Sequence, residues 1–414
     1  MFTRNVKLLL PFFLLGIFLL PLVYWPRAAI PFEIPKVWFA QRWIEILGLI
    51  AVWAAFREKN RLREGRIDQG ILLGVVVFVA IAVVSSLLGV NFQKSLYGNY
   101  YRLDGLLTLF HLVTFFLVVA LFWEASWRRL TAIALALGSF LVSAWSLVLG
   151  FRFHWLGDET VYHFGKAIGG AFGQPNFLAG YLLVSLPFVG YLLQTEGATD
   201  KRARIFWLTA LFCQIGAIIL TFSRAAVAGI LILTAMCLIW RKVKEKDKAK
   251  ACLTGLTFLL IGLFFVLFFT PKTKSFTAGI EEKTRERIFV KGVSGIIKRP
   301  LLGWGWANFD YVFEASEWPI KLANDIYVDK AHSHFWEILT TLGFLGFLAY
   351  LLLILRVLNR LYRLKSDFWN FTVLASFLLF LFHSQTNIIS IAEELMFWLI
   401  LGIVGSSEKV ASRP

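Results

Sequence analysis

The side chains best suited to chemistry in this sequence are arginines and histidines at the ends of long apolar runs. Arg224 lies at a break between two such runs, Arg287 lies in a charged stretch, and His332 lies shortly before another run. A guanidinium group binds phosphate oxygens through two parallel hydrogen bonds. A histidine with an unperturbed pKa of about 6.5 accepts a proton at neutral pH. These residues therefore suit a site that binds a phosphate-rich substrate and removes a proton from a hydroxyl group.

Five further polar residues are candidates for substrate binding: Arg285, Arg299, Arg102, Asn176 and His334. His334 follows His332 by two positions, and side chains two apart on a helix point in directions that differ by roughly 200°. If a helix begins near His332, only one of the two histidines faces a cavity, and the other is a solvated or structural histidine. The charged stretch also holds Lys291 and Lys298, for which a solvated helix face is the better interpretation.

The acidic residues do not suggest a metal site. Asp158-Glu159 and Glu281-Glu282 lack the Asp-x-Asp pattern that would suit a divalent cation. Two histidines two apart on one helix also fail to share the face that a two-histidine metal site requires. We therefore expect neither a metal ion nor another cofactor.

Apolar residues dominate the rest of the chain. They make up 58% of the 414 residues, charged residues make up only 16%, and the mean hydropathy is +0.70. A soluble domain of this composition would expose large apolar patches to water, so lipid must cover much of the surface. The formal net charge is +16, but the basic residues are spread through short loops rather than gathered in one patch, so we expect no nucleic-acid partner.

The apolar residues fall into about twelve runs of membrane-spanning length. Backbone groups in hydrocarbon must bond within their own segment, so each run is predicted to be a helix. The chain is therefore predicted to be an all-α polytopic protein that forms a single membrane domain, 1–414. The runs lie near residues 6–24, 37–56, 70–90, 106–124, 131–150, 171–194, 205–221, 225–240, 252–270, 335–355, 368–387 and 391–406. The seventh and eighth are one continuous apolar stretch that is too long for one bilayer crossing, so it must turn at Thr221-Phe222-Ser223-Arg224 or form an unusually long helix.

The distribution of lysine and arginine predicts the orientation in the membrane. One set of short loops, together with both termini, holds 24 of these residues, whereas the opposite short loops hold 7. The rich side is cytoplasmic by the positive-inside rule, so both termini are predicted to be inside. The long loop 271–334 then lies outside the cytoplasm and carries part of the site. Its segment 281–297 has helical periodicity and is predicted to be an amphipathic helix near the membrane surface.

Five stretches of the chain carry a family resemblance. They are a Pro-Asn start of a span in 173–179, the Ser223-Arg224 pair, Arg287 with the Pro-Leu-Leu-Gly-x-Gly turn of 299–305, the histidine-to-glycine spacing of 331–346, and the aromatic-Arg-x-x-Gly element of 98–105. Their order and the dozen spans resemble the O-antigen ligase and O-antigen polymerase superfamily of bacterial membrane glycosyltransferases. One departure is Ser333, which stands where many members have asparagine after the histidine.

The resemblance implies transfer of a glycan from a polyprenyl (undecaprenyl) diphosphate donor to the hydroxyl of a glycan or glycolipid acceptor. This reaction would take place on the outer face of the inner membrane. The leaving diphosphate develops negative charge that Arg224 and Arg287 would neutralise, and His332 would take the proton of the acceptor hydroxyl. Such a reaction belongs to polysaccharide and lipopolysaccharide biosynthesis in the cell envelope.

Two alternatives to an O-antigen ligase remain open. An O-antigen or polysaccharide polymerase uses the same donor and differs in its acceptor, which no residue of the chain identifies. A transporter or flippase for lipid-linked oligosaccharide is of another class, and Arg42 and Glu45 inside the second run are the feature that favours it. Their simpler interpretation is an ion pair within one helix, where the two charges neutralise each other.

Overall fold

The computed structural model describes residues 6–57, 67–269, 284–315 and 327–406, and these residues form fifteen α-helices and one small hairpin. The first eight helices are α1 (Val6–Leu19), α2 (Glu33–Arg57), α3 (Gln69–Leu87), α4 (Phe92–Tyr97), α5 (Leu106–Phe122), α6 (Arg128–Leu156), α7 (Pro175–Thr195) and α8 (Lys201–Leu220). The others are α9 (Arg224–Lys242), α10 (Lys246–Phe269), α11 (Thr284–Lys298), α12 (Phe309–Ala315), α13 (His334–Arg363), α14 (Phe368–Ser384) and α15 (Ile391–Gly405). The hairpin pairs β1 (His163–Phe164) with β2 (Ala167–Ile168) in antiparallel register.

The membrane-spanning architecture agrees with the sequence. Each of the twelve predicted spans coincides with one helix, and only α4, α11 and α12 are additional among the described residues. Within the described parts of the chain, seven helices are long and apolar enough to cross a bilayer by length and composition: α2, α3, α6, α7, α8, α9 and α13. The predicted all-α polytopic fold is therefore confirmed.

The centre of the bundle is formed by α7, α14 and α15. α14 is buried from Trp369 to its end, so other helices rather than lipid surround it. It packs against α7, where the Ser376 hydroxyl donates to the carbonyl of Val184 at 2.7 Å. α15 packs in turn against α5 and α7. The N-cap side chains Asp367 and Ser390 accept from backbone amides at the starts of α14 and α15.

The long apolar stretch that holds the seventh and eighth spans breaks where the sequence predicted it. α8 ends at Leu220, and Phe222 then adopts a left-handed backbone conformation with φ 51°. The next residue, Ser223, is extended and forms the N-cap position of α9. Arg224 is thus the first residue of α9, and its side chain is exposed.

The predicted amphipathic helix is present as α11, which ends just before Pro300. It packs against α12 and α13, so part of its charged face is buried. Lys291 is only 4% exposed, and its ammonium group donates to the carbonyl of Phe313 at 2.9 Å. The solvated position predicted for Lys291 is therefore wrong, because the partner helix α12 covers it. Lys298 is exposed as predicted.

A turn after α11 binds to a kink in α13. Gly343, inside α13, has φ 68° and ψ −169°, which interrupts the helix. The freed backbone bonds to the turn: Gly305 N donates to Thr341 O at 2.8 Å, and Phe344 N donates to Pro300 O at 2.8 Å. Two motifs that are separate in the sequence, the 299–305 turn and the glycine after His332, therefore form one structural unit.

Candidate active site

Two adjoining cavities lie near the start of α13. The narrow cavity has a volume of about 70 Å³, and the wide cavity has a volume of about 320 Å³. The volume of the wide cavity lies within the roughly 300–1,000 Å³ range of small-molecule sites. The residues that line both are Glu33, Arg102, His332, Asn387 and Ile388. Three predicted site residues besides His332 also line them: Arg102 lines both, His334 lines the narrow one and Asn176 lines the wide one.

His332 lies at the junction of the two cavities in a strained backbone conformation. Its φ is 56°, in the left-handed region that costs a non-glycine residue roughly 1–2 kcal/mol. Hydrogen bonds on both sides hold it there. Ala331 N donates to Glu337 at 2.7 Å, and the Gln385 side-chain oxygen accepts from Ser333 at 3.1 Å. Strain that is fixed in this way by its surroundings is common at functional sites.

Both histidines line the narrow cavity, contrary to the prediction that only one would face a cavity. The prediction was wrong because α13 begins at His334, with Ser333 as its N-cap position. His332 therefore precedes the helix, and helical periodicity does not relate the two side chains. His334 is packed edge-on against Tyr350, with ring centres 5.2 Å apart. Of the two histidines, His332 is the one that reaches the wide cavity.

A network of ion pairs surrounds His332. Lys330 contacts Asp104 at 2.5 Å and Glu337 at 3.3 Å, and Arg102 contacts Asp329 at 2.7 Å. Burial would lower the pKa of Lys330, but the two carboxylates outweigh it and raise the pKa above its ordinary value. Burial likewise would raise the pKa of Asp104, but Lys330 and Arg102 hold it below its ordinary value. Lys330 and Asp104 therefore stay charged at neutral pH, and their ion pair fixes the segment that carries His332.

Sequence reasoning missed several residues that line the narrow cavity: Glu33, Asp104, Lys330, Glu337 and Glu394. Asp104 lies in the 98–105 element, and Lys330 lies two residues before His332. Their closeness to these motifs could have identified both as site residues. Glu33 and Glu394 are far from each other in sequence and lie at the starts of α2 and α15. Only the packing of those helices brings them to the site.

Arg224, Arg287 and Arg299 do not line either cavity. Arg224 is exposed at the start of α9, and Arg299 is exposed with its guanidinium 5.0 Å from the Trp304 ring. Arg287 is buried on α11, with its guanidinium 5.8 Å from the Phe313 ring. The side chain of Arg285 lies outside the described residues.

α11 nevertheless lies beside the histidine segment. Phe289 of α11 packs edge-on against Trp336 in the first turn of α13, with ring centres 5.8 Å apart. A Cβ atom on Gly292 would lie 2.2 Å from the same indole ring, so the two helices approach closely. Arg287 is therefore carried by a helix that contacts the element starting two residues after His332.

Comparison with known families agrees with the motifs. Residues 209–351 match the family model described as O-antigen ligase. This segment includes Arg224, Arg287, His332 and the kink at Gly343. None of the curated proteins matches the chain. The resemblance found in the sequence is confirmed, and the chain is a polytopic membrane protein that carries an O-antigen ligase family domain at residues 209–351.

Proposed function

We propose that the protein transfers a glycan from a polyprenyl diphosphate carrier to an acceptor hydroxyl on the outer face of the inner membrane. The observation that carries this proposal is the position of His332 within the family domain, where the two cavities meet. A base at such a junction contacts groups that enter from both sides. A transfer between two large substrates requires such an arrangement.

The chemistry follows from the residues at the junction. His332 accepts the proton of the acceptor hydroxyl while the hydroxyl oxygen attacks the anomeric carbon of the donor sugar. The bond from that carbon to the diphosphate oxygen breaks, and the diphosphate leaves with the electron pair. General-base catalysis of this kind contributes typically about 10²–10⁴-fold to the rate. Arg102 lines both cavities and adds a guanidinium near the developing negative charge.

Arg224 and Arg287 belong to the same proposal as the cations that bind the diphosphate. They lie outside the cavity linings, so their role requires a diphosphate that extends beyond the cavities towards α9 and α11. A lipid-linked donor suits that requirement, because its prenyl chain must remain in the bilayer while its sugar reaches His332.

The orientation of the site is also part of the proposal. The excess of lysine and arginine on one side of the chain supports cytoplasmic termini, which puts His332 on the opposite side. A ligase and a polymerase both fit this account, since they share the donor and differ in the acceptor.

The two charges that favoured a transporter, Arg42 and Glu45, are exposed on the surface of the bundle and bind each other. Arg42 and Glu45 bond to each other at 2.5 Å, and Glu45 also contacts Nε2 of His111 on α5 at 2.9 Å. These contacts support the interpretation of Arg42 and Glu45 as an ion pair within α2, and Glu45 also joins α2 to α5 through His111.

Transfer kinetics on the purified full-length protein test the proposal. His332→Ala should lower kcat by about 10²–10⁴-fold, the range for loss of a general base, with donor affinity retained. His334→Ala is the matched control and should retain most activity, because its ring is packed against Tyr350. Full activity of His332→Ala would refute the histidine base, and a dead His334→Ala with active His332→Ala would reassign it.

A further inference from the structure

One side of the wide cavity is a row of aromatic rings. Phe32 and Tyr162 have ring centres 4.9 Å apart, and Tyr162 and Phe164 meet edge-on at 5.6 Å. All three line the cavity, and we call them the aromatic wall. Behind them, Tyr24 stacks on Phe32 at 5.4 Å. The wall is thus assembled from the residues before α2 and from the β1–β2 hairpin, two segments distant in sequence.

The wall is exposed although its position is fixed. Tyr162 is 53% exposed and Phe164 is 48% exposed. The hairpin holds Phe164 and directly follows Tyr162, and it is anchored by His163, whose ring stacks on Phe153 with centres 4.2 Å apart. Large exposed rings that are held in place, rather than folded into the core, are typical of binding surfaces.

The wide cavity also has polar side chains that lack protein partners. Gln174 and Asn176 line it, and their amide groups make no hydrogen bond to any residue that the structure describes. Each amide offers both donors and an acceptor to a ligand. Arg102, which is paired with Asp329, lines the cavity as well.

The loop that carries these amides is firmly positioned. A Cβ atom on Gly173 would lie 2.2 Å from the Phe32 ring, so the loop packs directly on the aromatic wall. The buried ammonium group of Lys36 donates to the carbonyls of Val23 and Ala171 at 2.5 Å each. The spacing between wall and amides is therefore set by the protein before a ligand enters.

We propose that the wide cavity is a sugar-binding subsite, in which a pyranose ring lies against Tyr162 and Phe164 while Gln174 and Asn176 bond its hydroxyls. A pyranose has faces of C–H groups, which suit the electron-rich face of an aromatic ring. Its rim of hydroxyls both donates and accepts, as the two amides do. A prenyl chain would match the rings but leave the amides without partners. The inference rests on the proposed function and specifies which residues select the sugar.

The test measures transfer by the full-length protein with donor and acceptor varied separately. Tyr162→Ala should raise KM roughly tenfold, the scale of one lost aromatic stacking contact, with kcat within about twofold. The substrate whose KM rises, donor or acceptor, is the one whose sugar the subsite holds. Tyr97→Ala is the matched control, because Tyr97 is 55% exposed and lines neither cavity.

Two further variants separate stacking from folding. Tyr162→Phe keeps the ring and should restore the normal KM. Phe164→Ala should raise the KM of the same substrate. If Tyr162→Ala does not fold, Phe164→Ala alone tests whether the aromatic wall binds a sugar. The proposal would be overturned if Phe164→Ala, and Tyr162→Ala where it folds, leave the KM of both donor and acceptor unchanged.

Direct binding distinguishes the sugar from the lipid chain. The probes are polyprenyl diphosphate without sugar and the same lipid carrying one oligosaccharide unit. If the acceptor KM is the one that rises, binding of both probes should be unaffected by Tyr162→Ala. If the donor KM rises, only the glycosylated probe should bind more weakly. Equal weakening of both would mean that the wall holds the prenyl chain, which overturns the sugar subsite. If the wild-type protein binds neither probe, the proposed function itself fails.

Discussion

Replacement of Gly343 by alanine tests whether the kink in α13 fixes the site. The backbone of Gly343 (φ 68°, ψ −169°) lies in a region that is essentially restricted to glycine, which costs an alanine roughly 1–3 kcal/mol. Its Cβ would also lie 2.4 Å from the backbone carbonyl of Leu301, so the turn must move away. Loss of the two 2.8 Å bonds that join turn and helix adds about 1 kcal/mol each. Gly343→Ala should therefore destabilise the protein by about 3 kcal/mol or more.

The measurement is thermal unfolding of the purified protein in detergent, beside transfer activity. Gly190→Ala is the control, because a Cβ there meets nothing within 4 Å and alanine favours a helix by about 1 kcal/mol. We expect Gly343→Ala to melt several degrees below Gly190→Ala and to lose activity as His332 shifts. Equal melting temperatures would refute the idea that the kink and the turn depend on each other.

Four further outcomes are expected. The contribution of Asp104 to the free energy of unfolding should be complete above about pH 3.8 and be lost on acidification, because its pKa is lowered in the folded protein. Asp104→Asn should therefore reduce the pH dependence of the melting temperature at acid pH. The contribution of Lys330 to the free energy of unfolding should be complete below about pH 10.5 and be lost in stronger alkali, because its pKa is raised in the folded protein. Lys330→Met should therefore reduce the pH dependence of the melting temperature at alkaline pH. Arg287→Lys should restore little of the transfer lost in Arg287→Ala, since an ammonium cannot form the bidentate fork, and equal activity of Lys and Arg would contradict this. Reporter fusions at Lys246 should read cytoplasm and fusions within 305–325 should read outside, and a cytoplasmic signal from the latter would reverse the proposed orientation.

The membrane spans could be predicted because the bilayer imposes a simple requirement. A run of sufficient length and apolarity must be helical whatever its neighbours are, and all twelve runs proved to be helices. The break between α8 and α9 was visible for the same reason, since one continuous helix would have been too long.

The site was predicted less completely because it depends on contacts between distant residues. The pair of Asp104 and Lys330 joins positions 226 residues apart, and no local pattern reveals it. The burial of Lys291 depends on α12, which the sequence analysis did not predict. The two histidines were separated by an argument that required α13 to begin two residues earlier than it does. Element boundaries are where sequence reasoning is weakest.

The kink at Gly343 also limits how this part of the chain can change in length. The nine helical residues from His334 to the kink span about 14 Å at 1.5 Å each. One inserted or deleted residue would rotate the start of α13, and with it the preceding His332, by roughly 100° relative to the bound turn and shift it by about 1.5 Å. Insertions between His334 and Gly343 should therefore abolish function even when the helix itself forms. The same constraint gives a practical rule for recognising related chains: the interval between histidine and glycine should keep its length.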